Sequence, residues 1–250
     1  MNLFKSGNPT LKERVFEGQV IENSDFVMTE RGTMNKFLFL FLMVMGSASF
    51  TWTAYAQGAE IGPWLIGSII AGFVTVLIIS FRPQTAPYLS PAYALIEGVF
   101  LGGVSAVYNN AFAKVAPGIV MQAVVLTFAV VLAMYALYRF NIIRATEKFR
   151  SIIITATVGI AIFYLIAFIM QLCGLEIAFL HEGSPLGIIF SLVITGIAAL
   201  NLILDFDMIE RGVAARAPKF MEWYAAFGLL VTIVWLYIEI LRLLAKFNRK

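Results

Sequence analysis

Cysteine and histidine are nearly missing from this 250-residue sequence: Cys173 and His181 are the only examples of each. A disulfide needs two cysteines, and zinc or haem centres draw on several Cys or His ligands, so neither is expected. With no disulfide, the redox compartment stays open. Charge is scarce too. Only 13% of residues are Asp, Glu, Lys or Arg, about half the ~25% of an ordinary soluble domain. Glycine-rich phosphate loops are absent. The net charge is +3 and the pI about 9.0, yet no broad basic face exists to hold a nucleic acid. The Lys and Arg residues gather instead at the ends of apolar segments.

Those apolar segments dominate the chain, which is 60% hydrophobic with a mean hydropathy of +0.87. A protein of this composition cannot cover its surface with polar groups, so part of the surface must face lipid. Seven stretches, roughly 37–55, 63–81, 90–108, 118–138, 151–172, 186–206 and 224–245, each approach the ~20 residues needed to cross ~30 Å of hydrocarbon. Backbone groups in lipid must pair within their own segment, so each stretch is expected to be a helix. Turn residues mark the breaks: Gly62-Pro63, Arg82-Pro83 through Pro87 and Pro91, Asn109-Asn110, Gly183-Ser184-Pro185 and Ala217-Pro218. Residues 1–36 are polar and of mixed charge and read as an N-terminal cytosolic tail, with 37–250 as the transmembrane domain. Ala54-Tyr55-Ala56 after an apolar run resembles a signal cleavage site. It stands too far from the start, behind an acid-rich leader, and the stretch is retained as the first helix.

Orientation follows the distribution of Lys and Arg. With the N-terminus inside, the inner segments carry the tail's basic residues, Arg82, Arg139, Arg144, Lys148, Arg150, Arg211, Arg216 and Lys219, whereas the outer loops carry Lys114. Arg242, Lys246, Arg249 and Lys250 run against this pattern. Either they snorkel at the outer headgroups after a full crossing, or the last segment re-enters; its uninterrupted length favours the crossing.

Ionisable residues at depth are the informative ones, since a charge at the bilayer centre costs at least ~2.5–3.5 kcal/mol. Arg82 ends the second stretch, Glu97 lies within the third, Asp205 in the sixth and Glu239 in the seventh. Gly98 and Gly102 beside Glu97 form a small-xxx-small pair that admits a neighbouring helix backbone. Glu97 is then either a protonated acid bonding across that contact or part of a functional site. Asn201, Asp205 and Ile209 share one helical face, while Asp207 and Glu210 read as solvated helix-end charges. Glu239 either pairs with Arg242 three residues later or faces Asp205 inside the bundle. Two carboxylates in a poorly polar interior cannot both ionise cheaply and would share a proton, with Arg82 as a counter-ion. Opened, such a latch offers oxygen ligands of the kind Ca²⁺ prefers. Ser105 and Ser191 have no base in their own segments and read as packing residues. No metalloprotease ligand set or mid-membrane lysine exists, so no enzyme and no cofactor are expected.

Ser90-Pro-Ala-Tyr-Ala-Leu-Ile-Glu97-Gly98-Val-Phe-Leu-Gly102, Leu202-Ile-Leu-Asp205 and Leu236-Tyr237-Ile-Glu239-Ile-Leu, with the Asn8-Pro9-Thr-Leu11 start, resemble the transmembrane Bax-inhibitor-motif family, in its bacterial, YccA-like branch. The resemblance covers essentially the whole chain. It implies an all-α membrane protein, a seven-transmembrane helix bundle with helix 7 central. It also implies a pH-sensitive Ca²⁺ leak closed by an acidic pair, Asp205 and Glu239, linked to Arg82. Glu239 departs from the Asp of many members, which changes the reach of the lock. The alternative it implies is a regulator that binds and restrains a membrane protease or other membrane partner. The expected setting is the inner membrane, as a monomer with its N-terminus cytoplasmic. Depth arithmetic adds one demand: Glu239 can approach Asp205 only if residues 219–227 extend the seventh helix inward.

Overall fold

The structure, a computed structural model, describes residues 27–174 and 184–249. The expectations for the earlier part of the tail, including the Asn8-Pro9 start, and for His181, Gly183 and Lys250 lie outside the described residues. Seven helices follow one another: α1 Glu30–Ala56, α2 Gly62–Phe81, α3 Ala86–Ala111, α4 Ile119–Arg139, α5 Glu147–Leu172, α6 Pro185–Ala214 and α7 Met221–Phe247. All seven are long and apolar enough to span a membrane, as the seven stretches predict.

Most helices overrun their apolar cores, and local chemistry explains each extension. α1 starts inside the expected tail because the Thr29 hydroxyl accepts from Gly32 N–H at 3.0 Å and caps the first turn. The Thr146 and Ser184 hydroxyls do the same for α5 and α6, accepting at 3.2 Å from Phe149 and Gly187 N–H. α3 starts at Ala86 and so absorbs Pro87 and Pro91, expected as breaks. Pro87 sits in the first turn, where its missing N–H has no intrahelical acceptor, and Pro91 forfeits a single bond. A 3₁₀ turn at Pro83–Thr85 makes the actual corner. α6 continues past residue 206 because Asp207 and Arg211 pair along it at i, i+4, Nε to Oδ2 2.9 Å.

The glycines of α3 set the tightest helix contact. A Cβ on Gly98 would lie 2.5 Å from the Val44 carbonyl oxygen, and one on Gly102 would overlap the carbonyl of Ala48. Val44 and Ala48 are one turn apart, so α1 lies along the Gly98–Gly102 stripe backbone to backbone, and Ser47 donates to the Leu95 carbonyl at 2.6 Å. α7 packs against α1, α3, α4 and α6. Its most apolar window is 61% buried, against 6% for α5, which lies against α6. α7 runs unbroken and antiparallel to α6: the Lys246 ammonium near its end donates to the Gly187 carbonyl at α6's start, 3.0 Å. This is a helix that traverses the bundle, and the re-entrant alternative does not describe it.

Gly102→Val should lower the melting temperature of the detergent-solubilised protein by an amount equivalent to about 1–3 kcal/mol of overpacking. Gly46→Ala should leave it unchanged or slightly raised, because no atom lies within 4 Å of a Cβ there. Equal effects at the two sites would show that the α1–α3 seam is not the close contact.

Candidate functional site in the α6–α7 interface

Three contacts fix the register of α6 against α7. Lys246 Nζ donates to Ser191 Oγ at 2.7 Å, Thr232 lies beside the Asp205 carboxyl, and Met208 Cε lies 3.6 Å from where a Cβ on Gly228 would stand. In each the two residue numbers sum to nearly the same value, as antiparallel neighbours require. That register sets Glu239 level with Ile197 and Ala198. The step back to Asp205 is seven or eight residues, roughly 11 Å at 1.5 Å per residue. The direct Asp205–Glu239 pair is therefore not formed. α7 does begin early, at Met221, but that extension leaves the two carboxyls on successive levels of one interface.

Glu239 is 1% exposed and fully engaged. Arg242 Nη1 approaches its two carboxylate oxygens at 3.0 and 3.2 Å. The Tyr164 hydroxyl of α5 donates to Oε1 at 3.0 Å and itself accepts from Arg242. The Arg242 guanidinium also lies over the Tyr164 ring, 5.1 Å from its centroid. Of the two arrangements left open by the sequence, the i, i+3 pair is the one present, buried in the bundle and tied to α5.

Arg82 is exposed at the end of α2 and makes no ion pair or side-chain hydrogen bond among the described residues. The expected counter-ion is replaced by Arg242, which shares a helix with Glu239 and reaches it within one turn. Asp205 is half-buried as a residue, and its Oδ2 is shut away from solvent with no hydrogen-bond partner. Asn201, one turn before it, turns to α5 and donates to Thr157 Oγ1 at 2.8 Å. Glu97 stands apart from all of these: it lies beside Tyr93, with Oε2 3.6 Å from where a Cβ on Gly72 of α2 would be.

Glu239 is taken up by Arg242 and Tyr164 about two helical turns from the level of Asp205, so the two carboxylates do not form a shared Ca²⁺ site in this state. No cluster of three or more His, Cys, Asp or Glu suited to a metal occurs among the described residues.

Several engaged residues were not anticipated. Glu222, 0% exposed, accepts from the Thr29 backbone N–H and hydroxyl, both at 2.9 Å. It pairs with Lys36 and, at 3.3 Å, with Lys219, and a Cβ on Gly32 would overlap its carboxyl. Met28 N–H donates to the Ala217 carbonyl at 2.8 Å beside this cluster, so the start of α1 is pinned to the α6–α7 turn. Ser191 and Ser105, expected only to pack, bond to Lys246 and, at 2.6 Å, to Tyr237. Asp207, expected to be solvated, holds Arg150 of α5 at 2.6 Å, and Glu210 takes the Tyr138 hydroxyl of α4. Apart from Lys219, three residues before Glu222, these partners lie far away in sequence, where no local spacing announces them.

A family model described as Bax inhibitor 1 like matches residues 8–249. The chain belongs to the Bax inhibitor 1 like family. No curated protein and no solved structure matches it. Membership in this family and seven apolar helices make the chain a multi-pass membrane protein. The Bax inhibitor 1 like family match runs through α6 and α7 to within a residue of the end, so both carboxylate levels fall inside it.

Removing one partner from a buried ion pair costs about 3–5 kcal/mol. Glu222→Ala should therefore destabilise the protein strongly and expose the start of α1 to added protease. Lys219→Ala, which removes the more exposed of the two amines, should do little. Protease resistance unchanged in Glu222→Ala would mean that the clamp does not hold the start of α1.

Proposed function

We propose that the chain is a passive, pH-sensitive cation conduit, with Ca²⁺ the ion its carboxylates suit best. One observation carries this reading: Asp205 Oδ2, buried within the bundle, accepts no hydrogen bond. An unsatisfied acceptor costs about 1–3 kcal/mol, and an ionisable group within a membrane marks an ion or proton path by default.

Glu239 is then the gate and Asp205 the carboxylate that a passing cation meets. In the closed arrangement Glu239, Arg242 and Tyr164 tie α5 to α7. The groups facing Glu239 are Tyr164 from α5 and Arg242 and Lys246 from α7, with Tyr108 of α3 near the guanidinium. The tie depends on the charge of the Glu239 carboxylate, and neutralising it removes the attraction for Arg242. Arg242 is left beside Lys246, a like charge, and the tie loosens. The conduit is a monomer of the inner membrane, and the Lys and Arg distribution favours a cytoplasmic N-terminus.

Ca²⁺ entry into dye-loaded proteoliposomes, measured from pH 8 to pH 5.5, tests this. Wild-type flux should rise as the pH falls. Glu239→Gln should be high and flat across the range, because Arg242 has lost its partner at every pH. Asp205→Asn should be several-fold lower throughout, and Arg82→Gln should follow wild type. Identical profiles for wild type, Asp205→Asn and Glu239→Gln would sink the conduit and favour restraint of a membrane protease or other membrane partner.

A further inference from the structure

α1 and α4 meet edge to face at Phe41 and Phe128, ring centroids 5.7 Å apart. Beyond that pair lies a cavity of about 210 Å³ between them, floored by Leu101 of α3 and by Ile233 and Tyr237 of α7. Met45 and Phe128 line it while remaining nearly half exposed, so it opens on the side that faces lipid. Along α1 it extends from Phe41 to Trp52, eleven residues or ~16 Å. That is the depth of one leaflet, half of a ~30 Å hydrocarbon core.

At Trp52 the character changes. A second cavity begins at that residue and continues the α1–α3 seam by one turn, to Tyr55, Asn109, Asn110 and Ala113. Here Tyr55, Asn109 and Asn110 add polar groups to walls otherwise built of small apolar residues, and Asn110 Nδ2 donates to the Tyr55 hydroxyl at 3.1 Å. Two cations lie at residues adjoining Ala113, where this mouth ends. Lys114 is the exposed residue after Ala113, and Arg249 lies over the Phe112 ring, 5.9 Å from its centroid.

We propose that this seam binds one membrane phospholipid, with an acyl chain in the groove and an anionic headgroup at the mouth between Lys114 and Arg249. An apolar cavity of this kind does not hold water, and left empty it forfeits dispersion contacts along its whole length. A volume of about 210 Å³ is far too small for a helix ~10–12 Å across with its side chains, and suits a slender hydrocarbon chain. The aromatic pair at Phe41 and Phe128 stops the chain near the bilayer midplane, and Trp52 and Tyr55 stand at the level where such rings meet headgroups. The site stands apart from Asp205 and Glu239 and does not depend on ion conduction.

The test uses the full chain reconstituted with lipids brominated at mid-chain, in a variant carrying Trp64→Phe, Trp223→Phe and Trp235→Phe so that Trp52 is the sole fluorophore. Quenching should saturate at a low mole fraction of brominated anionic lipid and require more of the zwitterionic one. Val124→Phe, which fills the groove from α4, should remove most of the saturable component. Lys114→Gln with Arg249→Gln should lower the anionic preference by at least about fivefold while chain quenching persists. Should the triple-Phe background fold poorly, native mass spectrometry of the otherwise unaltered chain should still show one retained anionic lipid, lost in Val124→Phe. Quenching proportional to bulk lipid and unmoved by Val124→Phe would overturn the site. So would quenching that weakens as protein density in the membrane rises, which would place a second copy over the groove.

Discussion

Hydrocarbon supplies no hydrogen bonds, so every polar group that α7 carries through it must find a partner on another helix. Much of the architecture answers that demand. Glu222 is met by Thr29 and Lys36 from the start of α1, Thr232 lies beside Asp205 of α6, and Tyr237 bonds Ser105 of α3. Glu239 and Arg242 share Tyr164 of α5, and Lys246 reaches Gly187 and Ser191 at the start of α6. These contacts reach four neighbouring helices at different depths, so α7 cannot slide or rotate without breaking several at once. Apolar packing alone sets register only weakly between helices whose alternative surroundings are equally apolar lipid.

The parts legible in sequence were those governed by local rules. Segment number, the Gly98–Gly102 contact and the inward extension of the last helix follow from hydropathy, side-chain size and rise per residue. Depth along a single helix was legible as well, which is why Glu239 stood out. Partner choice was not. Whether Glu239 faced Asp205 or Arg242 turned on the register of α6 against α7, and that register is set by Lys246 reaching a serine 55 residues away. Arg82 illustrates the same limit: its place at a helix end is readable, but its exposure depends on how α2 is tilted and packed. Glu222 was missed because it precedes the apolar run, where acids are ordinarily solvated. Only the fold reveals that α1 begins on top of it.

The polar and apolar surfaces of α7 face opposite ways, and this links the carboxylate interface to the lipid groove. At 3.6 residues per turn, Leu230, Ile233, Val234 and Tyr237 cluster on one side, lining the cavity between α1 and α4. Thr232, Glu239, Arg242 and Lys246 fall on the other, toward α5 and α6. On the proposed conduit reading, loosening the Glu239–Arg242 tie would free α7 on its polar side, with the apolar cavity as the space behind it. A chain seated there resists that movement by filling the space, and an empty cavity yields to it. Tyr237 stands at the junction, lining the cavity while its hydroxyl is held by Ser105 of α3. The same helix thus meets polar side chains of α5 and α6 on one face and, on the other, a cavity open toward the apolar exterior.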